Sequence, residues 1–325
     1  MLSDLPRGRA RWTRADAAIL LVWALALGLI VAAVSLNLRA STRLDTLHNL
    51  SAVLHGEPFK TGDTFHTDLP FYNRLLFPLI HHVLSRWLPI ASENQWYVLL
   101  RITAFQVAFF AFGLSCALGL GAGRNATGFA MTLLAVATVV SFNFPWEEPS
   151  DALDLRMCAL GTWAALRQRF LACLALSIVF AANRESATFL GVIWFTLAMS
   201  RERWLRPAIE GGAICVLSYG TSYGLKMALG PASRPNWVVP WTNLERLKEA
   251  MLTFNPLGWL SMLAATLLLL VVCADPRLTQ VRRFLMLAVL LALASLVYGL
   301  ANELRIFLPT FTMLSFAAAA SVRLR

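Results

Sequence analysis

Residues 17–37 read AAILLVWALALGLIVAAVSLN, an apolar run without one charged side chain. At 1.5 Å of rise per residue, a helix of that length covers about 30 Å, the thickness of a bilayer's hydrocarbon core. Similar runs follow at 96–120, 127–144, 152–166, 170–183, 186–200, 207–228, 256–273, 283–300 and 306–321. The pattern predicts an all-α, polytopic integral membrane protein of about ten transmembrane helices, with residues 1–325 forming a single integral domain.

Composition agrees. Of the 325 residues, 58% are hydrophobic and only 14% are charged, against roughly 25% in an ordinary globular domain. The net charge of +10 does not point to nucleic acid. The basic residues collect in short clusters between the apolar runs, as the positive-inside rule requires of cytoplasmic loops. Arg7, Arg9, Arg11 and Arg14 precede the first run, and no small-residue cleavage site follows it, so it reads as a retained span with the N-terminus inside. The five cysteines all fall within apolar runs and lack CxxC spacing, which makes them packing residues. No Walker loop or dinucleotide fingerprint is present.

Several charges sit deeper than loops allow. Counted along a helix, Arg184 lies roughly 22 Å from Arg169, and Asp154 and Arg156 lie roughly 20 and 16 Å from Arg167. A lipid-facing charge at such depth is costly, so these groups pair with one another or line a polar cavity. One reading is structural ion pairs, Arg184 with Glu185 and Asp154 with Arg156. The other is a recess open to the outer face, beside the acidic loop FPWEEPSD (144–151) and NELR (302–305).

The outer segment 38–95 shares that side. Residues 44–55 (LDTLHNLSAVLH) place Leu44, Leu47, Leu50 and Leu54 on one stripe and Asp45, His48, Asn49 and His55 opposite, which predicts an interfacial helix. GDTFHTDLPFYNRLLFP (62–78) comes next, with Pro70 and Pro78 as breakers of regular helix, and LIHHVLSRWLPI (79–90) reads as a second interfacial helix.

The layout of a first span, an Asp and a surface helix, here L-D-x(6)-A-V-L-H-G-E-P-F followed by F-Y-N-R-L-L-F-P-L, resembles membrane glycosyltransferases of the GT-C superfamily. The likeness is nearest to the polyprenyl-phosphate-sugar-dependent branch, including polyprenol-phosphate-mannose-dependent mannosyltransferases. NRES (183–186) and ELRIFLP (303–309) are similar to segments of bacterial members. The chain departs from the branch in having a lone Asp45 where many members carry an acidic pair, and Leu-Phe-Pro where others have Tyr-Pro-Pro.

The resemblance implies an enzyme of the bacterial inner membrane with its site facing the periplasm. It would move a sugar from a polyprenyl-phosphate carrier to a lipid or glycan acceptor. Such transfer needs a carboxylate to take the acceptor's proton, and cations to stabilise the phosphate leaving group. Arginine is suited to the second task by its planar fork. Asp45 is the first candidate base by resemblance, with Asp63 and Asp68 as alternatives. Arg184 and Arg305, then Arg74 and Arg156, are the candidate phosphate ligands, and Glu185 and Glu303 serve either as their partners or as substrate contacts. No metal site is assigned: His66, His81 and His82 read as interfacial residues, although some superfamily members use a divalent cation. Two other functions stay open, a transporter or flippase of a lipid-linked or anionic solute, and a non-catalytic scaffold of an envelope-polysaccharide complex.

Overall fold

The structure is a computed structural model that describes residues 12–38, 76–85, 87, 93–141, 150–199, 204–229, 279–298 and 307–323. Among these, all regular secondary structure is helical. We number the described helices α1 (Arg14–Leu38), α2 (Leu76–Ser85), α3 (Glu93–Leu114), α4 (Arg124–Ser141), α5 (Ser150–Leu166), α6 (Phe170–Ala181), α7 (Phe189–Ala198), α8 (Leu205–Leu229), α9 (Thr279–Tyr298) and α10 (Leu308–Arg323). The predicted interfacial helix at 44–55 and the apolar run 256–273 lie outside the described residues.

Local chemistry sets the boundaries. Helix α1 opens on a capping box: the Thr13 N–H and hydroxyl donate to Asp16 Oδ2 (3.0 and 2.8 Å), and the Asp16 N–H donates back to Thr13 Oγ1 (3.1 Å). Reciprocal bonds of this kind satisfy donors that the first turn leaves without a helical partner. Helix α3 runs on into a π-helical turn, Ser115–Leu120, which ends at Gly121 with φ of 67°. Glycine adopts that left-handed conformation without a Cβ penalty, and the Ala122 N–H closes the turn on the Cys116 carbonyl at 3.0 Å.

Pro78 does not break helix as the sequence suggested. It occupies the first turn of α2, where a missing N–H costs nothing because N–H groups of the first turn have no partner within the helix.

Side-chain contacts fix the helix directions. Trp12 Nε1 donates to the Ala122 carbonyl (3.1 Å), and Gln106 Nε2 donates to the Leu25 carbonyl (3.2 Å), so α1 and α3 are antiparallel. Asp16 pairs with Arg124 at the start of α4 (3.5 Å). Arg167, after α5, donates to the Leu118 carbonyl, so α3 and α5 end together. Gly191 of α7 faces Gly211 and Cys215 of α8 in antiparallel register. Arg283 of α9 donates to the Leu197 and Met199 carbonyls at the end of α7 (3.1 and 2.9 Å). Phe316 of α10 lies against Phe112 and Phe284, centroids 4.6 and 5.4 Å apart.

Together these contacts give the bundle two unlike ends. Arg124, Arg167, Arg169, Arg206, Arg282 and Arg283 gather at one, which we call the basic end. The turn between α6 and α7 lies at the other.

Helix α5 holds the centre, packed against α3, α6, α7 and α10. Ala152, Cys158, Ala159, Ala164 and Ala165 are fully buried along it, and a Cβ on Gly161 would fall 2.1 Å from Leu190. Small residues there let four neighbours approach one helix.

Two described helices, over Arg14–Val34 and Val98–Leu120, are long and apolar enough to cross a membrane, and only 28% of the first is buried. Leu171, Ile209, Val216 and Leu293 on other helices also face outward.

Candidate functional site

Helices α6 and α7 are short, 12 and 10 residues, so the turn joining them stops part-way up the bundle. It carries the NRES motif. Arg184 is extended (φ −157°, ψ 157°) and leads into a 3₁₀ turn, Glu185–Thr188. The Asn183 and Arg184 N–H groups close on the Phe180 carbonyl (2.8 and 3.0 Å), which turns both side chains towards α5.

Helix α5 meets them with two carboxylates. Asp151 and Asp154 are three residues apart and therefore share a helix face. Arg184 Nη2 lies 2.8 Å from Asp151 Oδ1, and Nη1 donates to Asp154 Oδ2 at 2.9 Å. Asp154 Oδ1 also accepts from Asn183 Nδ2 and Ser186 Oγ, both at 3.3 Å. Asp151 and Asn183 are fully buried, and Asp154 nearly so. Three of four consecutive turn residues thus converge on one α5 carboxylate, with a second sharing the guanidinium.

Formally the trio holds one positive and two negative charges. In a low-dielectric interior, charges survive only when paired; Arg184 pairs with both carboxylates, and Asp154 accepts hydrogen bonds from Asn183 and Ser186 besides.

The pairing differs from the expected one. Asp154 turns to Arg184 rather than to Arg156, because residues two apart on a helix point to opposite sides. Arg156 faces α6 instead, its guanidinium carbon 5.9 Å from the centre of the Phe180 ring. Glu185 is half-buried at the start of the 3₁₀ turn.

Two residues of this region were missed as individual candidates. Asp151 reads in the sequence as the tail of a loop, yet it is the second residue of α5. Arg101, in the first half of α3, is buried to 3% exposure. Its only sequence signal is a lone base eight residues into an apolar helix, a position that predicts a buried partner.

Asp45, Asp63, Asp68, Arg74, Glu303 and Arg305 lie outside the described residues. The residues that flank their segments are described. Leu38 ends α1 away from the basic end, and the Leu76 N–H donates to the Ala182 carbonyl (3.2 Å), at the α6–α7 turn itself. Tyr298 and Leu308 bracket residues 299–307 at the same end, since α9 leaves from the basic end and α10 returns to it. Ser141 and Ser150, on either side of 142–149, lie there as well.

No protein family, curated protein or solved structure matches this chain.

Proposed function

We propose that the protein is a polytopic membrane glycosyltransferase of the GT-C type, transferring a sugar from a polyprenyl-phosphate carrier to a lipid or glycan acceptor at the periplasmic face of a bacterial inner membrane. One observation carries the reading. The described residues that flank segments 39–75 and 299–306, which hold Asp45, Asp63, Asp68, Arg74, Glu303 and Arg305, lie at the end of the bundle that bears the Asp151–Arg184–Asp154 cluster, and the clustered arginines mark the opposite end.

The outward apolar faces of α1, α6, α8 and α9 support the membrane reading, since water would penalise them and lipid does not. The arginines at one end support its orientation, basic end to the cytosol. In this arrangement Asp45, or Asp63 or Asp68, takes the acceptor hydroxyl's proton. Arginines among Arg74, Arg156 and Arg305 stabilise the departing lipid phosphate, with Glu185 and Glu303 orienting them or the sugar. A polyprenyl-phosphate donor delivers the sugar within the bilayer, so no nucleotide has to reach the outer side.

The test is transfer of radiolabelled sugar from a panel of polyprenyl-phosphate donors to native lipid extract by the purified protein. Asp45→Asn is expected to keep the fold and abolish transfer. Wild-type turnover by that variant moves the base elsewhere. Solute flux in proteoliposomes with no covalent product replaces the reading with a transporter, and no activity of either kind favours the scaffold.

A further inference from the structure

Arg184 was the leading phosphate candidate in the sequence, but both arms of its fork are occupied by Asp151 and Asp154. An incoming phosphate would have to displace a carboxylate and would then face two buried negative charges. Arg156 is in the opposite situation. Among the described residues it makes no hydrogen bond or ion pair; its guanidinium rests on the Phe180 ring face. Arg124, Arg206 and Arg283 each reach a carboxylate or carbonyl oxygen.

Arg156 is also deep. It stands eleven residues before Arg167, roughly 16 Å along α5, and its side chain leans towards the helix N-terminus, away from the basic end. A half-buried guanidinium at that level, with five donors and, among the described residues, only a ring face beside it, is a site awaiting an anion. The neighbouring surface suits a lipid. Val179, next to Phe180 on α6, is exposed by 51% and offers an apolar flank along which a chain can lie.

We propose that Arg156, backed by Phe180, is the subsite that binds the phosphate of a membrane lipid, entered from the bilayer along α6, and that Arg184 instead positions the α6–α7 turn. The inference rests on the glycosyltransferase reading for the identity of that lipid, but not for the existence of the site. Phosphate is the natural ligand because the guanidinium fork matches two of its oxygens. The ring beneath leaves the outward edge of the fork available.

The experiment is equilibrium binding of labelled undecaprenyl phosphate to the protein in nanodiscs, with undecaprenol, phosphatidic acid and inorganic phosphate as parallel probes. Undecaprenyl phosphate is expected to bind, and undecaprenol, lacking the phosphate, at least tenfold more weakly. Arg156→Gln should weaken phosphate-lipid binding about ten- to a hundredfold, the worth of a charge-assisted contact. Arg156→Lys, which keeps the charge but not the fork, should restore only part of it, and Phe180→Leu should weaken it a fewfold. Equal thermal stability of Arg156→Gln and wild type confirms that a fold defect is not the cause.

Unchanged binding by Arg156→Gln overturns the subsite while leaving the glycosyltransferase reading standing. Binding of phosphatidic acid but not undecaprenyl phosphate, lost in Arg156→Gln, keeps the subsite and removes the polyprenyl donor. Binding of inorganic phosphate alone, or of none of the probes, overturns the proposal.

Discussion

Arg184 satisfies two carboxylates at once, so removing it strands both in an apolar interior. Arg184→Gln should therefore destabilise the protein by about 3–5 kcal/mol, as loss of one partner from a buried ion pair does. The expected reading is a large drop in melting temperature of the detergent-solubilised protein. Arg184→Lys should recover little of it, because a single ammonium cannot reproduce two separated N–H···O contacts. If Arg184→Gln melts like wild type, the cluster is not an internal tether. The sequence made Arg184, Asp154 and Arg156 conspicuous by depth alone. It could not pair them, since pairing depends on which α5 face meets the turn, and that is decided by helix packing. Asp151 was obscured for a similar reason: beside Pro149 it looks like loop, and only the start of α5 at Ser150 puts it one turn from Asp154.

At the scale of elements, close approach of helices governs the expected effects. A Cβ on Gly28 would lie 2.6 Å from the Gln106 backbone, so α1 and α3 touch main chain to main chain there. Gly28→Ala should push them apart, disturb the Gln106–Leu25 bond and cost about 1–3 kcal/mol. Gly212→Ala is the control: nothing lies within 4 Å of its Cβ, and better helix propensity should leave stability equal or raised by up to about 1 kcal/mol. Both are read as shifts in thermal unfolding. A second element-scale tie is Arg283. Arg283→Met should release the last carbonyls of α7 and cost about 1–3 kcal/mol, the penalty of buried acceptors left without donors. Helix positions were largely legible because hydrophobic runs and breakers report them directly. The π-turn after α3 was not, since SCALGL looks like a continuing helix and the extra residue per turn is imposed by Gly121 and by the contact of Leu118 with Arg167.

At the scale of the whole molecule, the unlike ends predict sidedness. Trp87 is 80% exposed after α2, and Arg206 is 85% exposed at the start of α8. A membrane-impermeant thiol reagent applied to intact spheroplasts should label Trp87→Cys at once and Arg206→Cys only after permeabilisation. The reverse pattern would invert the orientation. Cys116, Cys158 and Cys173 are buried and should stay silent. The half-length hairpin α6–α7 also bears on how the chain is made. If the bundle spans a membrane as proposed, the hairpin's turn brings a guanidinium into lipid depth, where translocon-based scales put the penalty at roughly 2.5–3.5 kcal/mol. The carboxylates that offset it belong to α5, which leaves the ribosome first. Synthesis order is thus built into the charge pattern: acids wait in place, and the base arrives second. A gene cut at Gln168 and expressed as two separate pieces should yield a second piece that integrates only where the first is already resident.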